Sequence, residues 1–265
     1  GIQMLTKLLK YEFRSTGRVF LPLYGGIMLL TLFTRLFVWM GDYSNILAIP
    51  AGLLTVLYVL SLIGMFAVTY VVLLRRFYTS LIGDEGYLSF TLPVKPWQHI
   101  TSKLITSVVW VIATAAAAGL SLLLMFVSNG FFKDLYDFIR VLIGYSQISY
   151  VMLVLEFIIT ALVSVAASML MFYASMAIGQ LVNGHKVAGS VAAFLVSYFV
   201  TQILLGIGMF AFGAVDPATW EVINTMNAVQ GVALMLLLIL VIQAVFGTLY
   251  FIITNYVFKN KLNLE

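Results

Sequence analysis

The chain has 265 residues, of which 63% are hydrophobic and 9% charged, with 14 Lys and Arg against 10 Asp and Glu. Soluble domains carry about 25% charged residues, so this composition excludes a soluble globular protein and makes lipid the main solvent. The absence of cysteine excludes disulfide frameworks, thiolate nucleophiles, zinc knuckles and iron–sulfur clusters, and two histidines are too few for an all-histidine metal site. The net charge of +4 would suggest nucleic acid only if the basic residues clustered on a soluble face.

In chain order, residues 5–18 place Leu5, Leu8, Leu9 and Phe13 on one helical face and Lys7, Lys10, Arg14 and Arg18 elsewhere. This amphipathic pattern predicts an interfacial helix over residues 1–18, lying flat on the inner leaflet; the same charges also serve as an ordinary basic flank to a first span. A bilayer core about 30 Å thick needs roughly 20 consecutive apolar residues. Six runs qualify: 19–40, 50–74, 103–127, 148–178, 187–213 and 228–258. The first is too long for a signal peptide and no small-residue cleavage site follows it; Gly1, Ile2 and Gln3 ahead of Met4 read either as a cloning remnant or as the product of an upstream start. The predicted fold is therefore an all-α integral membrane bundle of six transmembrane helices with an N-terminal amphipathic interfacial helix, forming a single domain over 1–265.

Short loops rich in Lys and Arg stay cytoplasmic. Eleven of the fourteen basic residues (Lys7, Lys10, Arg14, Arg18, Arg75, Arg76, Lys95, Lys103, Lys186, Lys259 and Lys261) fall on one side, which places both termini in the cytoplasm and accounts for the basic excess without nucleic acid. Lys133 and Arg140 fall outside, and Arg35 lies within the first span.

Between spans, residues 75–102 (RRFYTSLIGDEGYLSFTLPVKPWQHITS) form the longest inner segment. Its large apolar side chains must be covered by the membrane surface, by the chain's own helices or by a partner, and Pro96 suits the first turn of the third helix. The second inner segment, 179–186 (GQLVNGHK), is short and turn-like. Outside, 131–147 and 216–227 are too small for a receptor domain, although PATWEVINTMN could form a short interfacial helix with Trp220 at headgroup depth.

Chemistry-bearing patterns are few. The nearest approach to a phosphate-cradling loop, Gly184 to Ser190, lacks the lysine after its second glycine, so ATP is expected to be handled by another chain. His99 and His185 fall at helix ends, a His185–Ser190 dyad is geometrically awkward, and no His-Glu-x-x-His helix exists. Arg35 and Glu156 are charges inside spans, which is costly. Their similar depth and opposite sign predict an intramembrane ion pair; the alternative has Arg35 snorkelling outward and Glu156 protonated or facing water. Small residues four apart at Ala115/Gly119, Ser164/Ser168 and Gly184/Ala188/Ala192 permit close helix approach.

Six spans with both ends inside, the opening KLLKYEFRSTGR, and LIGDEGYLSFTLPVKP followed by a helix at TSKL together resemble the permease subunits of ATP-binding-cassette transporters of the type-2 exporter class. The most specific part is Asp84-Glu85-Gly86-Tyr87 through Thr91-Leu92-Pro93. The resemblance implies a coupling segment in the first inner loop that docks on a separate ATPase subunit, with Asp84, Glu85, Gly86, Tyr87, Leu88, Phe90, Leu92 and Pro93 as the contact residues and 179–186 as a lesser contact. It further implies a non-catalytic chain holding no cofactor of its own, ATP and Mg²⁺ bound by the partner ATPase, a second permease chain (identical or paralogous), and a multi-pass location in a bacterial plasma membrane. An amphipathic or apolar cargo would match the scarcity of ionisable residues in the spans. The rival readings are a membrane anchor or sensor holding a non-ATPase partner, and a gradient-driven carrier with Glu156 as proton carrier; the latter would favour inverted repeats, and the two three-span halves show no convincing match.

Overall fold

The computed structural model describes residues 2–41, 45–83, 94–127, 130–144, 148–182, 184–213 and 228–260. Among these the secondary structure is helical: α1 (Ile2–Gly41), α2 (Asn45–Phe77) continued by a π-helical turn (Tyr78–Ile82), α3 (Pro96–Phe126), α4 (Phe131–Gly144), α5 (Ile148–Gly179), α6 (Lys186–Gly213) and α7 (Ala228–Asn260). Six of the helices, all but α4, are long and apolar enough to cross a membrane, so the chain is an all-α, membrane-type bundle. Only 6–28% of the residues in their most apolar windows are buried, so most of the apolar surface faces outward, as a lipid solvent requires.

Two differences from the sequence expectation concern helix ends. The amphipathic stretch is not a separate element: α1 runs unbroken for 40 residues with Pro22 inside it. No breaker divides residues 5–18 from the span, and the backbone groups that Pro22 frees are the kind tolerated in membrane helices. The expected amphipathic pattern survives in place, with Leu5, Leu8, Leu9 and Phe13 half-buried and Lys7, Lys10, Arg14 and Arg18 exposed. Likewise, residues 75–82 are not loop: α2 continues through Arg75 and Arg76, and the π turn is closed by Gly83 N–H donating to the Tyr78 carbonyl at 2.8 Å. The burial of Phe77, Leu81 and Ile82 holds it.

The contacts divide the chain into two compact units, Gly1–Arg76 with Ile105–Arg140, and Phe77–Leu104 with Val141–Glu265. The first unit is joined by side-chain relays between helices. Thr31 donates its hydroxyl proton to the Ile27 carbonyl (2.7 Å). Its 2.8 Å contact with Ser121 is therefore a bond from Ser121, and the 2.7 Å contact between Tyr58 and Ser121 one from Tyr58. The chain Tyr58→Ser121→Thr31→Ile27 thus links α2, α3 and α1. Two turns earlier on α3 a related pattern has α1 and α2 exchanged: Thr69 donates to the Met65 carbonyl (2.8 Å) and Thr114 to Thr69 (3.0 Å), while the Tyr24 hydroxyl lies 2.8 Å from Thr114 and also donates to the Trp110 carbonyl (3.2 Å). A third relay runs from Trp110 Nε1 to Thr16 (2.7 Å) and on to the Glu12 carbonyl (2.7 Å), with Trp110 stacked on Phe20 at 4.6 Å. Lipid supplies no hydrophobic force between helices, so packing and such bonds hold them together.

In the second unit α5 packs against α6 and α7. Gly247 of α7 lies against Ala167 of α5, where an added Cβ would sit 3.4 Å from the alanine Cβ. Of the small-residue pairs singled out in the sequence, Gly119 opens onto empty space, so that pair brings no helix close among the described residues.

α4 occupies a stretch that the sequence predicts only as part of an outer loop. Its apolar residues recur at helical spacing (Phe131, Leu135, Phe138, Ile139, Leu142) with Lys133, Asp134, Asp137 and Arg140 between them, and these four charged residues are exposed. Fourteen residues are too few to span a membrane, and the two-faced pattern is that of a helix lying at an interface.

Candidate functional site

The expected contact residues Asp84, Glu85, Gly86, Tyr87, Leu88, Phe90, Leu92 and Pro93 lie outside the described residues. What the second unit does describe is the structure on either side of them. On the N-terminal side Phe77, fully buried, stacks face to face on Tyr173 of α5, with ring centroids 3.8 Å apart and planes 2° from parallel. Its other neighbour is Phe258 of α7, at 5.9 Å. The π turn follows directly, and such turns recur at functional sites because the extra residue re-aims the chain.

On the C-terminal side the helix start is built from its own sequence. Pro96 occupies the first helical position, where a missing N–H costs nothing. Gln98 turns its side chain back so that its Oε1 accepts from Lys95 N–H at 3.1 Å, while Gln98 N–H donates to the Lys95 carbonyl at 2.9 Å. This is the glutamine half of a capping box. Gln98, His99, Ile100, Ser102 and Lys103 are all buried, so α3 is anchored from its first turn and begins earlier than the hydropathy boundary at Lys103. Both flanks of residues 84–93 are therefore held by packing and capping.

The second inner segment is a tight helix hairpin, as its turn-like sequence predicts. The end of α5 winds through i to i+3 bonds at Gln180, Leu181 and Val182, and Gly184 takes φ 81°, a left-handed value that favours glycine. A Cβ on Gly179 would overlap Ser190 Oγ and come within 2.5 Å of Ser190 N and 2.7 Å of the Lys186 carbonyl, and one on Gly189 would come within 2.7 Å of Val182 Cγ2. Glycine is required at Gly179 by the closeness of the neighbouring backbone, whereas at Gly189 the space is taken by the Val182 side chain.

In the first unit the amphipathic start of α1 is tied to the end of α2: Arg76 donates to Ser15 Oγ at 2.6 Å and pairs with Glu12 at 3.5 Å. Arg35 directs its guanidinium to the carbonyls of Leu124 and Val127, the last turn of α3, where unpaired helix carbonyls attract a cation. Glu156 belongs to the second unit, partly exposed on α5. The predicted Arg35–Glu156 pair joins residues of different units and stays an expectation that a double-mutant cycle decides: losses from Arg35→Gln and Glu156→Gln that do not add would support it, and fully additive losses would remove it.

Sequence reasoning passed over Tyr173 and Phe258, whose roles arise only from packing, and Gln202 and Gln243, two carboxamides inside apolar helices. The last two carried a readable signal, since a carboxamide within a span is anomalous for the same reason as a charge there. No protein-family model, curated protein or solved structure matches the chain.

Proposed function

We propose that this chain is the membrane-spanning permease subunit of an ATP-driven exporter of the type-2 ATP-binding-cassette class. The observation that carries the reading is the anchoring of residues 84–93 at both ends. The flank before it is a π turn beside the buried Phe77 and the flank after it a capped, buried helix start, as a segment that transmits force would need. Phe77 bears on Tyr173 and Phe258, so a push on the segment reaches α5 and α7 through stacked rings rather than through loop.

In this reading both termini and residues 84–93 face the cytoplasm, which the one-sided distribution of Lys and Arg supports, and the membrane is the plasma membrane. ATP and Mg²⁺ are bound by a separate ATPase subunit. A second permease chain completes the transporter, and closure of the ATPase pair drives a rigid-body rearrangement of the helices.

The test is gentle extraction of the full chain from its native membrane, identification of stoichiometric partners and measurement of ATP hydrolysis. A soluble partner carrying a phosphate-binding loop, with hydrolysis by the complex, supports the proposal. An intact protein recovered without any ATPase refutes it. In the supporting case, Asp84→Lys with Glu85→Lys abolishes ATPase association without changing membrane insertion.

A further inference from the structure

Two cavities share a wall in the second unit. The first is an open groove of about 340 Å³ between α5 and α7, lined chiefly by Val163, Ala166, Leu170, Ala244, Gly247 and Phe251. The second, about 170 Å³, lies among α5, α6 and α7 and draws polar groups from Ser168, Tyr198, Thr201, Gln202, Gln243 and Tyr250. Ala167 and Gln243 line both. Gln202 lies eleven residues before the end of α6 at Gly213, about 16 Å from it, and Gln243 is fifteen residues into α7. The smaller cavity therefore lies midway along the helices, with Tyr198 and Gln202 exposed, at a level of a membrane helix where hydrogen-bonding groups are expensive unless satisfied.

The bonding inventory of this cavity is incomplete. Ser168 donates to the Val165 carbonyl at 2.8 Å and Thr201 to the Ser197 carbonyl at 2.8 Å, and the Tyr250 hydroxyl, 2.9 Å from Thr201, also donates to the Ser197 carbonyl at 3.4 Å. These three hydroxyls spend their protons on the protein and have lone pairs left over. No hydrogen bond joins Gln202, Gln243 or Tyr198 to a described residue. No Asp, Glu, Lys, Arg or His lines either cavity among the described residues.

We propose that α5, α6 and α7 hold one binding site for a single-chain amphiphile whose head is uncharged and both donates and accepts hydrogen bonds, a polyol or amide, with its apolar chain in the groove. The absence of a counter-charge disfavours an ionic head at this depth. The polar cavity matches the volume of about five or six waters at about 30 Å³ each, which is the size of a small head. An apolar cavity of about 150 Å³ stays dry and accepts benzene, so the groove accommodates roughly twice that, one chain segment rather than two. The site stands on these two cavities alone and holds whether or not an ATPase docks on the chain.

The probe is a monoacylglycerol carrying a photoactivatable diazirine in its acyl chain, added to the full chain in phosphatidylcholine nanodiscs. A fatty acid and an alkyl trimethylammonium with the same labelled chain are the comparators, and labelled peptides are mapped by mass spectrometry. The expected result is labelling concentrated in residues 163–170 and 244–251, about tenfold or more above either charged comparator, as when buried polar groups are left unpaired by the wrong ligand. Gln202→Leu with Gln243→Leu should bring the neutral probe down to the level of the charged ones. Equal labelling by all three probes, labelling spread over other helices, or no labelling, which would leave water alone in the cavity, each overturns the proposal. Comparing the three probes on the unmutated protein separates these outcomes even where the double variant folds poorly.

Discussion

Removing the Ser121 hydroxyl tests whether the relays of the first unit hold its helices together. Ser121 accepts from Tyr58 and donates to Thr31, with all three side chains buried. The three protons are not equivalent when the helices separate. Thr31 keeps its bond to the Ile27 carbonyl on its own helix, and a serine can turn to a carbonyl one turn back. The tyrosine hydroxyl, at the end of a long rigid side chain, has no such carbonyl within reach. The proton that decides the energy is therefore Tyr58's. In Ser121→Ala it stays buried without an acceptor, a cost of about 1–3 kcal/mol. In Tyr58→Phe only an interhelical bond is lost, which in membrane proteins averages about 0.6 and reaches about 1.7 kcal/mol.

The expected order is thus Ser121→Ala worse than Tyr58→Phe, and Ser121→Ala in the Tyr58→Phe background should cost less than half of what it costs alone. Reversible unfolding of the full chain in bicelles, followed through the four variants of a double-mutant cycle, measures this. Additive losses, or a Tyr58→Phe loss exceeding that of Ser121→Ala, would show that the proton assignment is wrong.

The remaining predictions concern glycine contacts, a helix cap and the anchor beside the contact segment. Gly179→Ala should destabilise by about 3 kcal/mol, the upper range for overpacking, and Ser190→Gly should not rescue it, because Ser190 N and the Lys186 carbonyl remain in the way; Gly17→Ala, whose Cβ would meet Trp110 at an ordinary 3.7 Å, should be close to neutral. Thermal unfolding midpoints in detergent compare the two. Arg35→Lys should lower stability by about 1.5–3 kcal/mol, the worth of a hydrogen bond to a charged group, because an ammonium cannot serve the Leu124 and Val127 carbonyls with a planar fork; an unchanged midpoint would refute the cap. Phe77→Ala should cost about 3–5 kcal/mol and Phe77→Leu markedly less, whereas Asp84→Lys with Glu85→Lys should leave the midpoint unchanged, which separates an anchor from a contact surface.

The six long helices were legible because lipid imposes one requirement, about 20 apolar residues in a row, that hydropathy reads directly. The expected spans match α5–α7 at both ends, and α1 at its C-terminal end, to within a few residues wherever an apolar run borders charge or a turn, whereas α1 begins at Ile2 rather than at the expected Val19. They fail at α3, which starts at Pro96 rather than Lys103, and at α2, which continues to Phe77 with its π turn beyond. In both places packing and capping carry a helix through polar residues, and hydropathy records neither. The pairings within the site were not legible for a related reason. Tyr173 and Tyr58 stand in apolar runs indistinguishable by composition, yet one is a ring stacked on Phe77 and the other the first donor of a relay. Which role each takes depends on the neighbour that the helix rotation presents, and a one-dimensional pattern holds no term for that.

Polar residues inside the spans are where sequence reading had the most to gain. Arg35 and Glu156 stood out by charge, and the structure gives Arg35 a purpose that needs no charged partner, the closing carbonyls of α3. Hydroxyls and carboxamides, without charge, are easily passed over, yet in a solvent that offers no hydrogen bonds each has to find a partner. Thr31, Thr69, Thr114 and Ser121 find theirs within the first unit, whereas Gln202 and Gln243 find none among the described residues. The distinction divides polar groups that hold helices together from polar groups available to a ligand. The proposed amphiphile site rests on that distinction, and the comparison of neutral and charged probes decides it.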